Sequence, residues 1–213
     1  MARLDIYWSF RSPYSHLAID RLVDISRKFS VETHFRPVRP LAMREPDFFE
    51  RGRPQFLPYL FKDVLRESER LGVPFGFPRP DPIKMDMASG KVDPDQPILN
   101  GVMRLAIAAI AKGKGLEFAQ AVSKRIWGGA ENWCDAGPMA EAAAEAGLDL
   151  ASLQDWAASH EEEIRKTITE SEAEQLKHHW GVPLMVLDEE PFFGQDRLDS
   201  LVWRLEKLGL RKG

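Results

Sequence analysis

The order of patterns along the chain predicts an α/β fold that carries a large all-helical insertion. The sequence opens with a strand, a helix and a second strand, continues through a series of helical patterns, and ends with a short hairpin and a helix. Its 213 residues suit one domain, or a small domain that carries an insertion. We therefore expect residues 1–40 and 180–213 to form one α/β domain, and residues 41–179 to form a helical domain inserted into it.

The opening segment predicts a β-α-β unit. Residues 4–8 alternate in polarity and contain bulky side chains, which indicates a strand. Ser12 and Pro13 are typical of a helix start, with serine at the N-cap and proline at the first helical position. Apolar residues at helical spacing continue this helix, and residues 31–38 alternate as a second strand. The crossover is long enough for the two strands to lie parallel.

The middle of the chain predicts a series of helices, with a proline-rich connection after the first. Apolar residues in these segments recur at helical spacing. Residues 72–97 contain repeated prolines, so we expect irregular structure there. The predicted helices span residues 59–71, 98–111, 116–127, 138–146, 150–159 and 161–179.

The final segment returns to short strands. Residues 183–188 form an apolar run that is typical of a buried strand. Glu189 and Glu190 predict a tight turn, after which residues 191–193 complete a hairpin. Asp196 is a suitable first residue for a helix that continues through residue 208.

Composition excludes several classes of protein. The net charge of −4 leaves no basic excess to neutralise phosphates, so we expect no nucleic-acid partner. The single cysteine, Cys134, cannot form an internal disulfide, which excludes an oxidoreductase that works with a cysteine pair. The longest apolar stretch, residues 105–111, is too short to cross a bilayer, and the N-terminus lacks the apolar region of a secretory signal. We expect a cytoplasmic protein without membrane contact.

Other chemically interesting residues have ordinary interpretations. His178 and His179 are adjacent and point in different directions on a helix, so we expect no metal site. His16 lies one turn after Ser12, where a core or rim position is the simplest interpretation and a role near the site is the alternative. We expect most aromatic side chains of the helical part in its core, with a few lining a pocket for an aromatic substrate. These aromatic residues are Phe48, Phe49, Phe56, Tyr59, Phe61, Phe75, Phe77, Trp127 and Trp133.

The segment Ser12-Pro13-Tyr14-Ser15 lies where the first predicted strand is followed by the first predicted helix. Free backbone N–H groups and the helix dipole favour an anion at such a position, and a thiolate is one. The chain has no cysteine there, so a bound thiol such as glutathione would supply the sulfur and Ser12 would donate a hydrogen bond to it. Arg11 would add positive potential if its side chain faces the site. The alternative is that this segment only caps and starts a helix.

Two further segments carry weaker signals of a ligand site. A cis bond between Val182 and Pro183 would expose the Val182 backbone to an extended ligand, which it could pair as an added strand. A trans proline at the entrance of a strand is the alternative. Gln195 and Asp196 precede the last helix, where they would hold an amino group while free N–H groups take a carboxylate. A simple helix cap at Asp196 is the alternative.

In this order, the segments resemble the kappa-class glutathione transferase and 2-hydroxychromene-2-carboxylate isomerase family, a branch of the DsbA-like thioredoxin superfamily. The resemblance spans essentially the whole chain, including the central helices. The residues that carry it are Asp5-Ile6-Tyr7, Ser12-Pro13-Tyr14-Ser15-His16-Leu17-Ala18, Leu71-Gly72-Val73-Pro74, Phe77-Pro78, Gly181-Val182-Pro183 and Phe193-Gly194-Gln195-Asp196-Arg197-Leu198.

The resemblance implies a thioredoxin-like fold for residues 1–40 and 180–213, with glutathione as the cofactor. Ser12 and Ser15 would occupy the positions of the two redox cysteines, and Ser12 would be the catalytic residue. Val182 and Pro183 would form the cis-proline loop, in which the Val182 backbone holds the cysteinyl part of glutathione. The implied cofactor-binding residues are Ser12, Pro13, Tyr14, Val182, Pro183, Gln195 and Asp196, the last two at the γ-glutamyl end.

The resemblance also implies a function and an assembly. It indicates a glutathione-dependent isomerase that acts on a small unsaturated intermediate of aromatic degradation, and a homodimer. In such isomerases, glutathione is thought to add reversibly to the substrate and to leave after rotation about a temporarily single bond. The alternatives are a kappa-like glutathione transferase or glutathione-dependent reductase, and a non-catalytic thioredoxin-fold module that binds peptides or thiols.

Several residues depart from the family pattern. Ser9 stands where members often carry an aspartate, and Arg11 precedes the first serine of the site. Many members contact glutathione through an asparagine in the region of residues 45–58, which contains none here. We expect either that Arg51 or Arg53 holds the glycyl end instead, or that the cofactor differs.

Overall fold

The strands and helices of the computed structural model follow the predicted order. The structure describes residues 1–45, 54–86 and 91–213. A short helix and a single 3-10 turn add to the predicted elements. The elements are β1 (Ala2–Trp8), α1 (Pro13–Lys28), β2 (Val31–Pro37), α2 (Leu41–Arg44), α3 (Phe56–Leu71), α4 (Pro97–Ala111), α5 (Gly115–Trp127), α6 (Ala136–Glu145), α7 (Leu150–Ser159), α8 (Glu161–Leu176), β3 (Leu184–Leu187), β4 (Glu190–Phe193), the 3-10 turn (Gln195–Arg197) and α9 (Leu198–Lys207).

A mixed four-stranded sheet has the strand order β2-β1-β3-β4. β1 pairs with β2 in parallel, as the β-α-β pattern predicts, and pairs with β3 in the antiparallel direction. β3 and β4 form the predicted hairpin, with Leu184 opposite Phe193. The end of β1, the start of β3 and the end of β4 therefore lie at the same edge of the sheet.

Ser12 and Pro13 begin α1 as the sequence predicts. The Ser12 hydroxyl oxygen accepts a hydrogen bond from the Ser15 N–H at 3.2 Å, and Pro13 lies in the first turn, where a missing N–H costs nothing. Arg27 and Lys28 lie in the last turn, where positive charge interacts favourably with the helix dipole. The apolar face of the helix packs between the sheet and α5.

The helix predicted over residues 161–179 is shorter in the structure. α8 ends at Leu176, because the N–H groups of Lys177 and His178 bond to carbonyls three residues earlier and tighten the chain into a turn. The remaining residues form an irregular connection to Pro183, which cannot continue a helix. Among the residues that the structure describes, no helix is both long enough and apolar enough to cross a membrane.

The larger of two buried apolar clusters runs through the sheet and the helices. Ile6 and Phe35 contribute to it from the sheet, and Leu99 and Phe118 contribute from α4 and α5. The two predicted domains therefore share one core, and their division at residues 40 and 180 stays a prediction. A smaller cluster lies on the other face of the sheet, around Tyr7, where burial raises the pKa of the phenol to about 12.

Candidate functional site

The three segments singled out in the sequence meet at one edge of the sheet. Because β1 and β3 are antiparallel, the turn that holds Ser12 at the end of β1 lies beside Val182 and Pro183 at the start of β3. The Pro183 carbonyl accepts a hydrogen bond from the Gly194 N–H at 2.9 Å, which brings the 3-10 turn and Gln195 alongside. The topology thus brings together residues that lie at opposite ends of the chain.

Ser12 combines a structural hydrogen bond with an available donor. Its Oγ accepts from the Ser15 N–H while its own hydroxyl hydrogen stays free to donate, since a hydroxyl has two lone pairs and one proton. The side chain is partly exposed at the N-terminus of α1, where the helix dipole favours a negative charge. Ser12 can therefore stabilise a bound thiolate and remain the cap of the helix.

Two buried hydroxyls flank this turn. Ser9 is 1% exposed and Ser15 is fully buried, and the Oγ atoms of both have no hydrogen-bond partner among the described residues. Their backbone carbonyls are satisfied, by the Ser12 N–H at 3.1 Å and by Trp8 Nε1 at 2.9 Å respectively. An unpaired buried hydroxyl is costly, so the turn holds unused hydrogen-bonding capacity directly beside Ser12.

Tyr14 turns its hydroxyl toward α3. Its Oη donates to Asp63 Oδ2 at 2.7 Å, and Tyr59 and Arg66 both donate to the other carboxylate oxygen. Burial and the bond to Asp63 raise the pKa of Tyr14, so the phenol remains a donor throughout the neutral range. The bond connects the Ser12 turn to the helical part of the chain. Sequence reasoning missed Asp63, because an aspartate among charged residues on a helix is an ordinary surface feature.

The charge of Arg11 is compensated within the protein. Its Nε and one terminal nitrogen donate to the two carboxylate oxygens of Asp81 at 2.8 and 3.0 Å, a bidentate pair. Asp81 also accepts from the Ile83 N–H at 3.0 Å, so the pair fixes the proline-rich connection against the Ser12 turn. Arg11 therefore braces this connection and adds much less positive potential at Ser12 than an unpaired guanidinium would.

His16 faces the interior rather than the site. It is 2% exposed, its Nε2 lies 3.0 Å from the Pro74 carbonyl oxygen, and its Nδ1 lies 3.0 Å from Ser123 Oγ. A carbonyl only accepts, so the proton lies on Nε2 and Nδ1 accepts from the serine hydroxyl. Burial lowers the pKa of His16, which keeps the ring neutral. The simpler interpretation, a core position, is the one that the structure supports.

This buried histidine predicts a pH-dependent stability. Because the pKa of His16 is lower in the folded than in the unfolded chain, the unfolded chain binds more protons as the pH falls below about 6.5, and stability is lost there. The urea midpoint should therefore fall between about pH 7.5 and about pH 5.5. In His16→Gln, whose amide offers a donor and an acceptor without titrating, this pH dependence should be smaller. Equal slopes for both proteins would contradict the assignment.

The cis-proline loop leaves the backbone of one residue unpaired. The Val182–Pro183 bond is cis, which the ligand hypothesis for this loop required. The Gly181 carbonyl accepts from Gln175 Nε2 at 2.7 Å, and the Gly181 N–H donates to His179 Nδ1 at 2.9 Å. No described residue bonds to the N–H or the carbonyl of Val182. Both groups are therefore available to an extended ligand that pairs as an added strand.

Gln195 is held from the interior. It is 4% exposed, its Nε2 donates to Glu67 Oε2 at 2.7 Å, and Arg21 donates to both its side-chain and its backbone oxygens. Asp196 is exposed, and no described residue accepts from the N–H of Gln195 or Asp196. These two N–H groups are therefore available to a ligand, the exposed Asp196 carboxylate pairs with the Arg197 guanidinium at 3.4 Å, and the Gln195 side chain fixes the turn. Arg21 and Glu67 gave no sequence signal, since they lie far from Gln195 in the chain.

Gly194 gives this turn its shape. Its φ of +101° lies in the region that favours glycine, and a Cβ there would lie 2.5 Å from Asp196 Oδ1. The glycine thus lets the chain turn from β4 toward the ligand edge while the Asp196 carboxylate folds back close to it.

Fewer aromatic residues of the helical part are buried than the sequence predicts. Trp127 and Trp133 are in the core, as expected. The expectation is wrong for α3, in which Val64 is the one buried residue, while Tyr59 and Phe61 are 60% and 41% exposed. Phe77 packs on Phe61 with ring centroids 5.6 Å apart. The reason is that little of the described chain covers this side of α3, so its apolar face stays accessible.

Two expectations concern residues outside the described ranges. Arg51 and Arg53, expected near the glycyl end of glutathione, lie outside the described residues. Phe48 and Phe49 do as well.

Comparisons with known proteins agree on the fold. A family model described as DSBA-like thioredoxin domain matches residues 3–206. A 2-hydroxychromene-2-carboxylate isomerase from Sphingobium xenophagum is 25% identical over 201 residues, which cover 93% of this chain and 95% of the relative. The solved structure of a 2-hydroxychromene-2-carboxylate isomerase matches with a TM-score of 0.69 and 20% identity, over 97% of this chain and 95% of that one. The cytosolic disulfide reductase DsbM from Pseudomonas aeruginosa, solved with GSH, matches with a TM-score of 0.60 and 15% identity, over 96% and 99% of the two chains.

These matches confirm the fold predicted from the sequence, a thioredoxin-like α/β fold with a helical insertion. They extend along nearly the whole chain, so the helical middle belongs to the shared architecture.

Proposed function

Because the chain belongs to the DSBA-like thioredoxin domain family, we propose that it is a glutathione-dependent isomerase of the 2-hydroxychromene-2-carboxylate type. Its substrate would be a small unsaturated intermediate of aromatic degradation. The relative that is 25% identical over nearly the full length of both chains supports an isomerase-like enzyme. The observation that carries the glutathione part is the free hydroxyl donor of Ser12 at the start of α1, beside the unpaired backbone of Val182.

The donor set at this edge fits glutathione. The Val182 N–H and carbonyl match the peptide groups of the cysteinyl part, as one strand matches another. Asp196 and the free N–H groups of the 3-10 turn match the amino and carboxylate groups of the γ-glutamyl end. Nothing in this set needs a protein cysteine.

Each part of this site would have a separate role in catalysis. Bound glutathione would supply a nucleophilic thiolate for chemistry at an unsaturated carbon. Ser12 donates to that sulfur, and the dipole of α1 stabilises its negative charge, which lowers the pKa of the thiol. Val182 and the 3-10 turn fix the position of the sulfur, so that proximity lowers the barrier. The exposed aromatic rings of α3 and Phe77 provide an apolar surface for a planar substrate.

A two-stage experiment tests the proposal. Calorimetry at roughly millimolar glutathione should show binding, and a chromene carboxylate should then isomerise only when glutathione is present. Conjugation of a generic electrophile without isomerisation would favour the transferase alternative, and binding without any turnover would favour the binding module. An absence of glutathione binding would contradict the proposal. Light scattering on the same sample tests the proposed homodimer, and cell fractionation tests the proposed cytoplasmic location.

A further inference from the structure

The loop that presents Val182 is held from beneath by two polar side chains. Gln175, in the last turn of α8, is fully buried. Its Nε2 donates to the Gly181 carbonyl at 2.7 Å, and its Oε1 accepts from Arg44 at 3.0 Å. A fully buried amide is costly to leave unpaired, so these bonds strongly favour one orientation of the Gly181 carbonyl.

Arg44 also holds this loop through hydrogen bonds. Its guanidinium donates to the Trp180 carbonyl at 3.1 Å and to the Arg39 carbonyl at 2.9 Å, in addition to Gln175. Burial lowers its pKa. Arg39 is itself fixed on α8, where its backbone N–H and its Nε both lie 2.9 Å from Glu172 Oε1. Hydrogen bonds therefore join the end of α8 and the turn at α2 into one support beneath the loop.

This support decides which backbone groups face outward. The Gly181 carbonyl is turned inward onto the buried Gln175, and the Trp180 carbonyl accepts from Arg44 at the surface. The Gly181 N–H is taken by His179, and the Pro183 carbonyl by Gly194. Because these neighbouring groups are paired within the protein, the Val182 N–H and carbonyl are left for a ligand. Val182 is therefore the residue through which this loop can pair with an extended ligand.

We propose that Gln175 and Arg44 are positioning residues that set the direction of the Val182 backbone and so determine its affinity for a peptide-like ligand. The inference rests on the proposed function only for the identity of that ligand, glutathione. The presentation of Val182 itself is a property of the free protein. Neither residue touches the ligand edge, and each acts through the loop.

The test removes the hydrogen bonds while the volume is preserved. Gln175→Met keeps the length of the side chain and deletes both bonds, and Arg44→Lys supplies a single ammonium in place of the guanidinium fork. Gln96→Met is the matched control, because Gln96 is 1% exposed and holds Lys84 through bonds at 2.8 and 2.9 Å, and neither residue bonds to the loop that presents Val182. All three variants should lose some stability.

The decisive readout is made on the ligand-free protein. Gln175→Met should shift the Val182 amide resonance and increase the hydrogen exchange of the Gly181 N–H, which His179 Nδ1 accepts, about tenfold relative to the core, and Arg44→Lys should shift the Val182 resonance in the same direction by a smaller amount. Gln96→Met should leave it unchanged. If the wild-type protein binds glutathione, Gln175→Met should raise the Kd for glutathione about tenfold relative to wild type, and Gln96→Met should leave that Kd unchanged.

The outcomes separate this inference from the proposed function. An unchanged Val182 resonance together with unchanged Gly181 exchange in folded Gln175→Met would overturn the positioning role. If that variant does not fold, an unchanged resonance in Arg44→Lys overturns it equally. A wild-type protein that fails to bind glutathione would contradict the proposed function, while the resonances in the free protein still decide the role of Gln175 and Arg44.

Discussion

Ser12→Ala is expected to lower glutathione-dependent turnover about 100-fold or more, the usual effect of removing one preorganised donor from a developing or stabilised anion. The substitution deletes the hydroxyl that is free to donate at the N-terminus of α1. The pKa of bound glutathione should rise, because the thiolate loses a hydrogen bond that the thiol does not need. Steady-state kinetics and the thiolate absorbance of bound glutathione against pH measure both effects.

The control must separate catalysis from capping, since Ser12→Ala also removes the N-cap bond to Ser15. Asp149 caps α7 in the same way, with Oδ2 accepting from the Ser152 N–H at 2.8 Å. Asp149→Ala should therefore cost a similar amount of stability, about 1 kcal/mol, and leave turnover unchanged. If Ser12→Ala matches it in stability and also retains full turnover, Ser12 is a helix cap alone.

Trp8→Ala is expected to lower the free energy of unfolding by about 3–5 kcal/mol. Trp8 is fully buried at the end of β1, and its ring lies edge-on to Phe10 with centroids 4.7 Å apart. The substitution also leaves the Ser15 carbonyl without its 2.9 Å bond from Trp8 Nε1. Since Ser15 lies in the first turn of α1, the Ser12 turn should lose its rigidity together with stability. Urea unfolding followed by circular dichroism measures the change.

Trp203 provides the matched substitution on the surface. It is 54% exposed on α9, where it stacks near the Arg204 guanidinium at 4.9 Å. Trp203→Ala should change stability by less than about 1 kcal/mol. Trp8→Phe, which keeps most of the ring volume and loses the indole N–H, should fall between the two. Equal losses for Trp8→Ala and Trp203→Ala would show that Trp8 does not anchor the turn.

Local patterns were sufficient for most of the fold. The serine and proline at the start of α1 specify a helix start through capping and a fixed φ, which act over a few residues. The alternation of β1 and β2 and the length of the connection between them specify a parallel pair. The end of α8 was missed by three residues, counted from Leu176 to His179, because helical periodicity continues past the point where the backbone tightens.

The candidate site was predictable as three segments but not as a geometry. Ser12, Val182 and Asp196 follow from order and resemblance, since each stands next to a turn or a helix start. The exposure of the α3 aromatics was not predictable, because an apolar helix face looks the same whether or not other elements cover it. Sequence alone also gave no reason to join Gln175 to the loop that it supports.

The chain's own residues specify where the Ser12 turn begins the first helix, because capping and proline geometry act over a few residues, and the single cysteine at residue 134 specifies that no cysteine pair lies there. Packing decides the rest. Whether Arg11 is neutralised by Asp81, whether His16 faces inward and whether Val182 is the unpaired residue of its loop all depend on side chains that approach only in the folded molecule. Charge and hydrogen-bonding partners act through space, so no spacing along the sequence encodes them.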